Sequence, residues 1–293
     1  IGALSLLTLK QRTRGPISVS GYNWSQRTFG SGYEARSFPS VASATSDRYE
    51  LDGMQALRSA EYNTFDAFGT LVRRQVNTSE ISKGLTPGAL YTEITTLGGV
   101  TNDTQNWCLG RPASAQVSRQ HNLATGAQLT RSESYSWDLA ACRMTQSVVE
   151  PSSTTLRVAT DLGYDSYGNE SSVKLTPVGQ PARVTSFNWG ADGRFLRDTT
   201  NAERHVVRTA WDAALARPVS VTDANGLVTT LQHDEFGREA RSTRPDGTGV
   251  VTVRTMCGSD CAWPEARLVV NQSARGAGDL QLAFVETGYD QYG

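Results

Sequence analysis

Lysine is nearly missing from this chain: 3 residues stand against 25 arginines in a length of 293. Basic and acidic residues total 28 and 29, a formal net charge of −1, so the chain lacks the basic surplus that phosphate-driven nucleic-acid binding requires. Long apolar runs are missing too. None approaches the roughly 18 uncharged residues of a membrane-spanning helix, so no membrane span is expected. Cysteine is scarce. Cys108, Cys142, Cys257 and Cys261 are too few for a disulfide scaffold of this length, and they leave the redox compartment open. Cys257 and Cys261 are spaced to close a small disulfide loop or to supply two zinc ligands, but His121, His205 and His233 stand at no recognised ligand spacing. Neither a metal nor a cofactor is therefore expected. Catalytic signatures are lacking as well: there is no Gly-x-Ser-x-Gly elbow, no His-Glu-x-x-His and no phosphate-cradling glycine loop, which makes an enzyme the least favoured reading.

Hydroxyl residues and glycine are abundant. The chain holds 32 Thr, 28 Ser and 27 Gly, the composition of a turn-rich β protein. Ile1 to Leu9 is apolar, yet no basic segment or clear small-residue cleavage site marks it as a signal peptide. With no initiator Met, and with Gly293 ending the chain inside a recurring motif, the sequence reads as a piece of a longer protein.

The recurring motif has a period of 22 residues. Trp189, Trp211 and His233 fall at that interval, and Thr200 to Asp212 repeats in outline as Thr222 to Asp234. Further copies are Phe65-Asp66-Ala67-Phe68-Gly69, Tyr164-Asp165-Ser166-Tyr167-Gly168-Asn169 and Tyr289-Asp290-Gln291-Tyr292-Gly293. Trp137-Asp138 and Leu51-Asp52 are weaker ones. In His233-Asp234-Glu235-Phe236-Gly237-Arg238, the Asp carboxylate accepts hydrogen bonds from amides further along the turn. The Gly supplies the positive φ that closes a hairpin. Asn225-Gly226 and Pro245-Asp246-Gly247 add turns, so glycines at 226, 237 and 247 leave strands of about six or seven residues.

These strands carry no clean apolar face. Leu227, Thr229, Leu231 and His233 alternate with Val228, Thr230 and Gln232, and Arg238 to Arg244 is almost wholly polar, so a two-layer sandwich is disfavoured. Polar sheets wetted on both sides fit better, with arginine suited to cross-strand pairing with carboxylates. The first 160 residues are less periodic. Met54 to Arg58 suggests one helical turn beside Leu51-Asp52-Gly53, a worn copy of the repeat turn.

The motif Tyr-Asp-x-x-Gly-Arg/Asn resembles the tyrosine-aspartate repeats of RHS proteins. Tyr164, Asp165, Gly168 and Asn169 match it, as do Tyr289, Asp290 and Gly293; Asp234, Gly237 and Arg238 keep all but the Tyr. Trp211 and Asp212 occupy the aromatic-Asp position, and Asn225 and Gly226 resemble the second turn of the unit. The resemblance is clear over 160–293 and weaker back to about 45, and Asn106 to Arg111 looks like a segment seen between such repeats in bacterial members. Gly190 in place of Asp after Trp189, and Leu215 where Gly is expected, depart from it.

The resemblance implies an all-β fold of antiparallel β-hairpin repeats spiralling into a hollow shell, of which residues 1–293 form one region and a partial shell. It implies a non-catalytic wall that encapsulates a C-terminal toxin or passenger. The expected partners are the remainder of the same chain and the enclosed toxin, with secretion-apparatus or chaperone proteins as further candidates. The location implied is secreted or at a bacterial cell surface. Neither the capping core domain, with its Asp-Pro-x-Gly ending, nor a toxin segment occurs in the sequence. The rival reading is a cell-surface or wall-associated adhesion module that binds glycans through Trp137, Trp189 and Trp211. Cross-strand packing explains those aromatics, and turn-making explains Asp66, Asp165, Asp212, Asp234 and Asp290.

Overall fold

The computed structural model describes residues 5–12, 15–81, 90–121, 128–257 and 265–290. Cys261, Gln291, Tyr292 and Gly293 lie outside the described residues. By contacts the chain divides into two compact units, 1–161 with 175–181, and 162–174 with 182–293.

The first unit contains β1 (Ser5–Arg12), β2 (Gly15–Phe29), β3 (Arg36–Tyr49), β4 (Gln55–Phe65), β5 (Leu71–Glu80), β6 (Leu90–Gly98), β7 (Thr101–Asp103), β8 (Cys108–Arg111), β9 (Ser114–His121), β10 (Leu129–Asp138) and β11 (Arg143–Val149). It also takes the start of β12 (Val158–Tyr164). Its strands pair antiparallel in chain order from β1 to β6, then β6 with β9, and on through β10 and β11 to β12. The short β7 and β8 pair only with each other, as a ribbon outside that sheet.

Beyond β13 (Glu170–Pro177), which like β12 carries residues of both units, the second unit runs through β14 (Arg183–Asn188), β15 (Asp198–Thr200), β16 (Val206–Asp212), β17 (Arg217–Thr222), β18 (Val228–His233), β19 (Glu239–Thr243), β20 (Gly249–Met256), β21 (Leu268–Arg275) and β22 (Gln281–Tyr289). From β14 to β22 every strand pairs antiparallel with the next.

No described residue is α-helical; the helical pieces are two 3-10 turns, Gly32–Glu34 and Ala277–Asp279. The helical turn expected at Met54 to Arg58 is replaced by the start of β4, where Gln55 pairs with Tyr49 and Leu57 with Arg48. A five-residue stretch gains one or two helical bonds at most, whereas a strand gains a ladder along its whole length, so tertiary pairing wins.

The described residues form almost no dry core. The buried apolar side chains among them are Cys108, Val148, Ala159 and Val269. Strand cohesion therefore comes from backbone ladders and cross-strand side-chain pairs. On one face of the first unit Arg74 Nη2 donates to Glu61 Oε2 at 2.6 Å and Arg119 Nε to Glu93 Oε2 at 2.7 Å. The opposite face carries uncharged links, Gln75 Nε2 to Asn77 Oδ1 at 3.0 Å and Thr92 Oγ1 to the same Asn77 oxygen at 3.2 Å. Both arginines are about half exposed, so solvent and salt screen these ion pairs and each adds little to stability.

Candidate functional site

The repeated turns are the most regular feature of both units, and the Asp side chain organises each. Asp66, Asp165, Asp223 and Asp234 accept the amide of the residue two further on with one carboxylate oxygen, at 2.8–3.0 Å. The same oxygen accepts the amide four further on, at 2.8–3.0 Å. Each Asp amide also donates to the carbonyl four residues on, at 2.9 Å, which closes a three-residue loop. The third position of each loop must lie in the left-handed region, and it is filled by Gly69, Gly168, Gly226 and Gly237 with φ between 71° and 92°. The residue after that glycine ties back where its chemistry allows. Asn169 Nδ2 donates to Asp165 Oδ2 at 3.1 Å and to the Gly193 carbonyl at 2.8 Å, and Arg238 Nε donates to Asp234 Oδ2 at 2.7 Å.

A second turn class carries one more residue. Asp103, Asp138 and Asp212 again accept amides, from Gln105 and Asn106, from Ala141, and from Ala214 and Leu215. The left-handed position moves to the fourth residue after the Asp and is occupied by Trp107, Cys142 and Ala216, with φ of 53°, 53° and 52°. This corrects the expectation of glycine at 215. Asp212 pairs directly with Arg217, so Leu215 sits where ordinary backbone suffices and Ala216 carries the strain. Near Trp189 the cap comes from the preceding residue, since Asn188 Oδ1 accepts the Gly190 amide at 3.0 Å. In the worn copy at Leu51-Asp52-Gly53 the loop opens at Glu50, whose carbonyl accepts the Gly53 amide at 3.1 Å.

The expected motif residues fall within these elements. Tyr164 ends β12, half-buried, and Asn225 contributes its amide to Asp223 inside the loop closed by Gly226. Leu227 follows that loop, facing Asp223 through amide and carbonyl, and β18 begins one residue later. Tyr289 ends β22, and Asp290 follows it, exposed. The aromatic position has its own hydrogen bond. Trp137, Trp189 and Trp211 each donate Nε1 to a main-chain carbonyl at 2.8 Å, those of Pro112, Glu170 and Leu196. His205 is held in the turn opened by Asn201, and His233 is half-buried at the end of β18. Among the described residues no three His, Cys, Asp or Glu side chains group as metal ligands.

Asp66, Asp165, Asp234 and Asp246 titrate low. For Asp66, Asp165 and Asp234 desolvation pushes the carboxyl up, but the loop amides and the side chains of Asn102, Asn169 and Arg238 outweigh it and hold each below the ordinary range. Asp246 is lowered by the Thr248 hydroxyl and amide. A folded-state value below the unfolded value of about 3.9 contributes stability that is complete above that pH and is lost as pH falls through the folded values. Urea midpoints should therefore stay level from pH 7 to 5 and drop between pH 4 and 2, with a shallower drop for Asp234→Asn. A midpoint that stays flat to pH 2 would remove the turns from the stability account.

The sequence reading missed a covalent link. Cys108 and Cys142 form a disulfide, Cα to Cα 5.2 Å, across a separation of 34 residues. Cys257 is disulfide-bonded as well. The available signal was positional: Cys108 follows the loop opened by Asp103, and Cys142 closes the loop opened by Asp138.

Residues 211–248, which span the turns opened by Asp212, Asp223 and Asp234, match the family model described as RHS repeat. The chain carries an RHS repeat. No curated protein matches it. The chain is similar in fold to the TcdB2-TccC3 crystal structure, with a TM-score of 0.55 at 12% identity, over 96% of this chain and 17% of that one. The same complex without its hypervariable C-terminal region gives 0.56 at 11% identity, over 96% and 16%. The Photorhabdus luminescens Tc holotoxin pore gives 0.53 at 11%, over 96% and 16%. The chain thus spans about a sixth of the length of the structures it resembles, and at these identities the likeness is one of fold: all-β, antiparallel, of the partial β-shell type. No helix among its described residues is long and apolar enough to cross a membrane.

Proposed function

We propose that this RHS chain is a non-catalytic wall segment of a shell that encloses a C-terminal toxin or passenger until delivery. The observation that carries the reading is a sheet with almost no dry core, held at its hairpin ends by repeated Asp-opened turns, whose fold follows TcdB2-TccC3 over 96% of the chain. Ladders and turn caps satisfy the backbone of such a wall without a second layer, so it can separate two aqueous spaces. The partners are the rest of the same polypeptide and the enclosed passenger, with secretion-apparatus or chaperone proteins acting in delivery. The location is secreted or at a bacterial surface. Residues 1–293 act as one wall region.

Support for glycan adhesion weakens on the same geometry, because Arg111 lies over the Trp137 ring and Phe195 stacks on Trp211, so each already has a ring face covered. The test is protease protection of the full-length polypeptide. A passenger that survives trypsin in the native chain, and is digested once the wall is opened by denaturant, supports containment. A passenger digested at the same rate in both states refutes it.

A further inference from the structure

We propose that the Cys108–Cys142 disulfide is a clasp, formed in an oxidising compartment, that fastens the β7–β8 ribbon across the turn row of the first unit. The ribbon is a two-stranded piece with one strand of three residues and one of four, too short to persist in water alone. It is anchored on two sides. Towards the β4–β5 turn, Asn102 Nδ2 donates to Asp66 Oδ2 at 2.9 Å, while within the ribbon Asn102 Oδ1 accepts the Gly110 amide at 2.8 Å. Towards the β10–β11 turn, the Arg111 guanidinium lies 5.0 Å over the Trp137 ring, and Trp137 Nε1 donates to the Pro112 carbonyl at 2.8 Å. The noncovalent anchors are polar or partly exposed. The disulfide is the one covalent tie among them, and it joins the ribbon to the left-handed residue of the β10–β11 turn.

Burial gives this bond its character. Cys108 has no solvent exposure, so a reductant must attack the sulfur of Cys142 and expel Cys108 as a thiolate into a site without water, which is unfavourable. The clasp therefore resists reduction once the ribbon has docked, and it must form while the chain is folding. Formation balances as thiol–disulfide exchange with a disulfide-bearing oxidant. One cysteine thiolate attacks the oxidant and forms a mixed disulfide, and the second attacks the sulfur of the first. The oxidant leaves as a dithiol that has gained two electrons and two protons. No described cysteine is free, which fits folding outside a reducing cytosol.

Peptide mapping of the full-length protein from its natural producer, alkylated before any reductant is added, should recover the peptides containing Cys108 and Cys142 linked. Recovery of both as alkylated free thiols overturns the proposal. Dithiothreitol should open the bond about ten-fold or more slowly in the native protein than in urea, because only local opening exposes it. Equal rates overturn the buried-clasp account. In the pre-folded wild type, native-state reduction followed by alkylation should raise protease cleavage within residues 99–113 by about ten-fold and leave the turns near Asp165 and Asp234 uncut. The Cys108→Ala/Cys142→Ala variant, if it folds, should reproduce that pattern. An unchanged cleavage pattern after reduction shows that the noncovalent anchors suffice and overturns the clasp.

Discussion

Replacing Gly69 by valine should lower the stability of the protein by about 2–6 kcal/mol, the sum of two independent costs. Gly69 sits at φ +88°, where a β-branched residue is strained by about 1–3 kcal/mol. A Cβ there would also lie 2.9 Å from Phe38 Cζ, and overpacking of that kind adds about 1–3 kcal/mol. Phe38 cannot easily withdraw, because it is packed edge-on against Phe65, ring centroids 6.0 Å apart. Gly168 supplies the control: its φ is +92°, yet nothing lies within 4 Å of a Cβ built on it. Gly168→Val should therefore show only the backbone part. Calorimetry of the two variants measures the difference, and equal losses would remove the Phe38 contact from the account. The same traces test whether residues 1–293 act as one region. A single transition moved by either substitution agrees with it, whereas two transitions, each moved by only one variant, would divide the wall.

The second large effect is at Trp211. Its ring stacks on Phe195 with centroids 5.1 Å apart and planes 18° from parallel, while Nε1 holds the Leu196 carbonyl. The indole thereby pins the connection between β14 and β15 onto β16. Truncation to alanine should cost about 2–4 kcal/mol, less than a fully buried tryptophan because the side chain is only half-buried. Trp211→Phe keeps the stack and loses the hydrogen bond, a cost of about 1 kcal/mol. Urea unfolding of both variants separates the two contributions. If alanine and phenylalanine cost the same, the stack contributes nothing. Glycan binding that is lost in Trp211→Ala while folding survives would instead revive the adhesion reading.

The turns that could be read from sequence are those in which chemistry leaves few choices. An Asp with an acceptor in reach of two amides, followed three residues later by the residue that tolerates positive φ, names its own conformation; Asp165 with Gly168 and Asp234 with Gly237 are examples. The longer turns hide, because Trp107, Cys142 and Ala216 carry the left-handed position with side chains that advertise nothing. In the sequence Leu215 stands at the closing position, since only loop length, fixed by the register of Asp212 with Arg217, distinguishes it from Ala216. The stretch from Met54 to Arg58 was ambiguous because five residues cannot separate a helical from an extended pattern until β3 offers its ladder. The disulfide was out of reach for a related reason. Each cysteine's place beside an Asp-opened turn is legible, but the two meet only because the β6–β9 connection folds back as a ribbon, a path that no local pattern records.

The scarcity of buried apolar side chains bears on temperature. Unfolding a protein ordinarily raises its heat capacity by about 12–15 cal/mol/K per residue, because hydrocarbon is newly exposed to water. A sheet whose fully buried apolar side chains, among the described residues, are Val148, Ala159, Val269 and Cys108 has less to expose, so that increment shrinks. Its free-energy curve flattens, and stability changes slowly between cold and warm surroundings. A sheet built in this way would keep its fold nearly as well in the cold as in the warm.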